Sequence, residues 1–199
     1  RTFWFSPTEI KHLVISALLV MAVGLSIVFL YFDSVFLSNH VEILIVSSLI
    51  FVLSFVSHEI AHKLTAQRYG LWAEFRLVLF GALLTLISII PFSPFKIISP
   101  GAVMIAGAAD PDIIGRTAIA GPATNLVLAL ISFVPYGFLS SPFAEIALLS
   151  VAFNAWIAFF NLFPIGVLDG WKVFLWNRII WALIFIPCLI LAISAFLIL

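Results

Sequence analysis

Phe51-Val52-Leu53-Ser54-Phe55-Val56-Ser57-His58-Glu59-Ile60-Ala61-His62-Lys63-Leu64-Thr65-Ala66 puts two imidazoles and a carboxylate in a stretch apolar enough to cross a bilayer. An acid or base near the centre of a membrane helix costs roughly 2.5–3.5 kcal/mol on insertion scales. A chain that is 64% hydrophobic and 9% charged does not keep such groups there for solubility. On a helix, positions four apart share a face, so His58 and His62 can reach one metal ion. Glu59 lies about 100° round from His58, where it can touch a water held by that ion. The pattern His-Glu-x-x-His therefore points to metal-assisted hydrolysis inside a membrane.

The rest of the composition agrees. With 199 residues, a net charge of zero and a mean hydropathy of +1.29, the chain reads as an integral membrane protein in a single domain, 1–199. Nothing in its charge suggests nucleic acid or an acidic soluble partner. The single cysteine, Cys188, excludes an internal disulfide and any CxxC site, and it sits in an apolar run as a buried free thiol. His12 and His40 lie at the edges of apolar segments and read as interfacial. The first hydrophobic stretch is too long for a signal peptide and has no small-residue cleavage site after it, while the start at Arg1 leaves open what precedes it.

Five stretches are long enough to cross a ~30 Å hydrocarbon core as helices: Leu13–Tyr31, Val41–Ala66, Thr117–Phe138, Phe143–Phe163 and Ile179–Leu199. Asp33-Ser34, Ser38-Asn39 and Ser140-Ser141-Pro142 separate them, and Pro187 should kink the last. Between the second and third spans, Leu77–Ile90 is too short to cross, at about 21 Å as a helix. It is followed by Pro91, Pro94 and Pro100 and by the glycine-bounded run Gly101–Gly107, which reads as a strand. The expected fold is all-α and polytopic, with a re-entrant hairpin or small membrane-associated β-sheet in this region.

All nine basic residues fall on one side of such a topology: Arg1, Lys11, Lys63, Arg68, Arg76, Lys96, Arg116, Lys172 and Arg178. The positive-inside rule makes that side cytoplasmic, together with the N-terminus of a multi-pass cell-membrane protein. His58 then lies about 26 Å along the second span, just inside the cytoplasmic leaflet below an interface marked by Lys63. Ser54, Ser57 and Thr65 on the same helix are candidates to line a water path.

Catalytic zinc takes three protein ligands and keeps one position open. The candidate third ligands are Glu74, Asp110, Asp112 and Asp169. Asp110 and Asp112 flank Pro111 in a turn-like segment. Asp169 follows a helix broken by Pro164 and Gly166, so it can turn back to the depth of His58, and it is the best physical choice.

Three motifs now resemble the site-2 protease family of intramembrane zinc metalloproteases. They are His58-Glu59-Ile60-Ala61-His62, Gly121-Pro122-Ala123-Thr124-Asn125 and Asn161-Leu162-Phe163-Pro164-Ile165-Gly166-Val167-Leu168-Asp169-Gly170. The resemblance implies one Zn²⁺ per chain on His58, His62 and Asp169, Glu59 as general base, and Asn161 steadying the substrate carbonyl or oxyanion. The catalytic core is then about 41–175. Trp171 stands where the family often has a second glycine, and Trp171 and Trp176 read as interfacial anchors. Gly121-Pro122 also has a packing reading, with Pro122 in a first helical turn, Gly121 close against the second span and Asn125 structural.

The expected substrate is a transmembrane-helix protein in the lipid bilayer, unwound locally and held by Gly101–Gly107 through β-augmentation. A membrane metal transporter or sensor would use the same His/Asp cluster, but would line a polar path across both leaflets. A prenyl-protein endopeptidase would share His-Glu-x-x-His but would carry a second downstream helix motif in place of Leu-Asp-Gly.

Overall fold

The computed structural model describes residues 4–32, 34–90 and 96–199. Arg1, Asp33, Pro91 and Pro94, named above, lie outside the described residues. The chain forms α1 (Pro7–Tyr31), α2 (Ser34–Asn39), α3 (Val41–Arg68), β1 (Trp72–Leu77), α4 (Leu79–Ile87), β2 (Gly101–Ala106), α5 (Pro111–Tyr136), α6 (Phe143–Asn161), α7 (Asp169–Trp176) and α8 (Arg178–Ile198). Five of these, α1, α3, α5, α6 and α8, are long and apolar enough to cross a membrane. The protein is an all-α polytopic membrane protein with one small sheet.

The span boundaries follow local chemistry. Ser6 caps α1 by accepting the Glu9 N–H, ahead of Pro7 in the first turn. Asp110 caps α5 in the same way, accepting from Ile113 N at 2.8 Å before Pro111. Because α5 starts at Pro111, Pro122 lies inside the helix rather than in its first turn as the packing reading had it.

Helix α6 is the centre of the bundle, with 67% of its apolar window buried, against 17% for α8. Its small residues Ala147, Ser150, Ala152, Ala155 and Ala158 let neighbouring helices approach closely. α3 and α5 pack on α6, α1 packs on α3, and α8 covers α6 from outside. Phe51 of α3 and Phe153 of α6, with rings 4.3 Å apart, stand in the main core.

The region between the second and third spans holds two short strands and a short helix. β1 and β2 pair antiparallel, with Phe75 opposite Val103 and Leu77 opposite Gly101. The strand expected at Gly101–Gly107 is β2, while the short apolar run Leu77–Ile90 forms the helix α4 at Leu79–Ile87. Lys96 departs from the expectation of a basic cytoplasmic loop. Its ammonium donates to Ser88 O and Ile90 O, both at 2.9 Å, and to Ser26 Oγ at 3.2 Å. Ser26 is about 28 Å along α1 from Pro7, so this lysine sits at depth, held by the carbonyls that end α4.

Lys63 does not mark an open interface either. It is 1% exposed and bonds Glu9 Oε2 at 2.5 Å and Trp4 O at 2.7 Å. Glu9, with no exposed surface, accepts the Phe75 N–H at 2.9 Å with its other oxygen. One buried ion pair thus ties α1, α3 and the sheet together. Removing one member of such a pair typically costs about 3–5 kcal/mol, because the other charge is left without compensation.

Candidate metal centre

Histidines 58 and 62 occupy successive turns of α3 on the face turned to α5. Their Nε2 atoms are 3.0 Å apart. Asp169, the first residue of α7, brings its Oδ2 to 3.0 Å from His62 Nε2 and 3.6 Å from His58 Nε2. Among the described residues, these three form the one group of His, Cys, Asp or Glu side chains whose ligand atoms all lie within 4.8 Å of one another. The approach of α7 depends on Gly170, since any Cβ there would collide with Leu162 O at the end of α6. Leu-Asp-Gly is therefore a device for folding a helix start back onto the preceding helix end.

Proton placement around the imidazoles follows from their neighbours. His62 Nδ1 lies 2.7 Å from Thr117 O, a carbonyl that can only accept, so Nδ1 carries the proton and Nε2 presents a lone pair. His58 Nδ1 lies 2.5 Å from Asn125 Oδ1. Asn125 Nδ2 donates to Ser54 O at 3.1 Å and to Asn154 Oδ1 at 2.8 Å, which orients its amide oxygen to His58. Both Nε2 atoms then face Asp169 as acceptors.

Three acceptors converging on one point require a positive charge between them. Two imidazoles with hydrogen-bonded Nδ1 atoms plus one carboxylate match the donor types of a zinc site, together with the outer hydrogen bonds that would orient them. Donor atoms about 2.0–2.2 Å from a tetrahedral ion stand about 3.4 Å apart, and the spacings here bracket that value. Gly121 of α5 supplies the room: a Cβ at this position would run into Nε2 of both histidines. The residues present fit a zinc ion.

Glu59 is 8% exposed and makes no hydrogen bond or ion pair among the described residues. Its carboxylate is therefore uncommitted beside the cluster. Asn161 ends α6 and donates one amide N–H to Ile157 O of its own helix at 2.9 Å, leaving the second N–H. The other acids have different work. Glu74 bonds Arg76 and Ser6, Asp110 caps α5, and Asp112 bonds Arg116 at 2.6 Å and Trp176 Nε1 at 2.9 Å. Trp176 also packs on Gly115, so it docks α7 on α5 instead of merely anchoring at an interface. A cavity of about 370 Å³ lined by Tyr31, Phe32, Tyr136 and Glu145 lies at the opposite end of the bundle and shares none of these residues.

Sequence reasoning passed over Thr117 and Asn154. Thr117 acts through its carbonyl, which leaves no trace in residue type. Asn154 did carry a signal, as an amide in an otherwise apolar span.

The Peptidase family M50 model matches residues 46–142, a segment that contains both histidines, Glu59 and Asn125. A protein of Methanocaldococcus jannaschii named "Putative zinc metalloprotease MJ0611" is 35% identical over 189 residues, covering 93% of each chain. No solved structure matches the chain.

Proposed function

This chain belongs to peptidase family M50, the site-2 protease family, and from that membership we propose that it cleaves peptide bonds within or near transmembrane segments of other membrane proteins. The chain is a membrane zinc protease. His58, His62 and Asp169 hold one Zn²⁺. When bound, zinc polarises the scissile carbonyl and lowers the pKa of the attacking water to about 7. Glu59 takes the proton from that water and passes it to the leaving amine. The second amide N–H of Asn161 is the donor offered to the substrate oxygen. The observation that carries this reading is the convergence of three acceptor atoms beside a free carboxylate.

The sheet supports a site for an unwound substrate. Phe75 N–H is taken by Glu9, Leu77 N–H by His12 Nδ1 at 3.3 Å, and Ala73 O by Gln67 Nε2 at 3.5 Å. These groups point away from β2, so residues 73, 75 and 77 sit at non-hydrogen-bonded positions of the ladder. Their partners Ile105, Val103 and Gly101 then turn their own N–H and C=O groups to the outer edge of β2. The inner edge of the sheet is closed by side chains of α1 and α3, and among the described residues no strand pairs with the outer edge, which leaves it to an added strand. Phe75 packs on Phe55, with rings 5.8 Å apart, one turn before His58. The orientation that fits is cytoplasmic for the catalytic end.

The decisive comparison is wild type against Glu59→Gln, with metal analysis and cleavage of a model transmembrane substrate. The expected result is one zinc in both proteins and cleavage in wild type alone. Loss of zinc from the variant would make Glu59 a ligand or a structural residue, and undiminished cleavage would remove it as the base.

A further inference from the structure

The polar chain behind His58 does not stop at Asn125. Asn154 of α6 accepts from Asn125 Nδ2 with its Oδ1 and donates its own Nδ2 to Ser150 O at 3.0 Å. Asn125 has no exposed surface and Asn154 is 1% exposed, so water does not substitute for either partner. Ser150 Oγ in turn meets Ser132 Oγ of α5 at 2.7 Å, and Ser132 bonds back to Leu128 O. Polar side chains so deep in an apolar bundle are costly unless fully paired, and this one is paired throughout.

Each link in the chain has a fixed polarity. Ser150 O can only accept, so Asn154 must present Nδ2 to it and Oδ1 to Asn125. Asn125 must therefore present Nδ2 to Asn154 and Oδ1 to His58. His58 must then carry its proton on Nδ1, and its lone pair falls on Nε2, the atom that faces His62 and Asp169. If the Asn125 amide turned over, its NH₂ would meet Nδ1, the proton would move to Nε2, and His58 could no longer donate to a metal from that atom. Ser54 O also takes a proton from Asn125 Nδ2, so the amide is held by two acceptors, of which Asn154 is the one supplied by a side chain and hence by sequence.

We propose that Asn154 is a positioning residue of the metal centre: it fixes the proton of His58 on Nδ1 through Asn125, and so makes Nε2 a metal ligand. This rests on the zinc reading above. It gives the central helix α6 a direct part in a centre whose own residues come from α3 and α7. It also explains an amide in a helix where leucine would fit the apolar surroundings.

The test uses the full chain in detergent with ¹⁵N-labelled histidine, assigning His58 by comparison with His58→Gln. Imidazole ¹⁵N shifts of the metal-free protein report which nitrogen carries the proton, whether or not zinc binds. Wild type should show His58 protonated on Nδ1. Asn154→Leu should populate the Nε2–H form and weaken zinc binding about tenfold, the low end for groups behind a ligand. Asn154→Asp keeps an acceptor towards Asn125, and should retain the Nδ1–H signature and bind zinc within about threefold of wild type. The proposal is overturned if metal-free wild type shows Nε2–H, if Asn154→Leu binds zinc as wild type does, or if the two variants lose zinc equally. Should Asn154→Leu not fold, loss of the Nδ1–H signature in Asn154→Asp overturns it alone. A wild type that shows Nδ1–H but binds no zinc would instead remove the zinc reading.

Discussion

At the residue scale, the centre depends as much on an atom that is missing as on those present. Gly121 faces Nε2 of both histidines, and any side chain there would occupy the space between the donor atoms. Gly121→Ala should therefore abolish zinc binding while the helices still form, since alanine is favourable in a helix interior. Metal analysis alongside circular dichroism checks this. Helix loss in parallel with zinc loss would mean that the glycine serves packing between α3 and α5. The same scale separates the two motif asparagines. Asn125 stands behind His58, whereas Asn161 has one N–H returned to its own helix and one to offer.

At the element scale, β2 makes a prediction that depends on ladder parity. Val103 turns its N–H outward, so Val103→Pro leaves the bonds to β1 intact and removes one donor from the open edge. Met104 lies at an alternate position, with its N–H turned to β1, so Met104→Pro should break the sheet itself. Turnover of a transmembrane substrate should fall steeply in Val103→Pro with zinc and thermal stability retained, whereas Met104→Pro should lose stability as well. Normal turnover in Val103→Pro would mean that substrate does not pair with this edge. The inner edge cannot take its place, because the buried Glu9–Lys63 pair and His12 already cover it.

For the whole molecule, the proposed orientation rests on the basic residues around the end that carries His58, His62 and Asp169. Arg68, Arg76, Arg116, Lys172 and Arg178 stay near it, although Lys96 is drawn into the bundle. Cysteines placed at Ser38 and Arg116, in a chain with Cys188 replaced by alanine, should label from opposite sides of the membrane, with position 116 cytoplasmic. Labelling of both from one side would rule out this arrangement of five spans.

Span number and the limits of most spans were legible because a bilayer demands about twenty apolar residues and polar residues interrupt them. The i,i+4 histidines and the glutamate between them were legible because helix periodicity places side chains locally, and Asp169 because the chain breaks at Pro164 and Gly166 before a motif that resembles the family's. Which helix is central was not, since hydropathy rewards contact with lipid and with protein alike: α8 is the more apolar of the two, yet α6 is the buried one. The strand at Gly101–Ala106 was legible from its bounding glycines, whereas the short helix α4 and the place of Lys96 were not. Lys96 could be held there only because carbonyls just after α4 and a hydroxyl of α1 were assembled to receive its charge. Tertiary structure alone decided the proton on His58, because the polarity of a hydrogen bond depends on the atom opposite, and here that atom belongs to another helix.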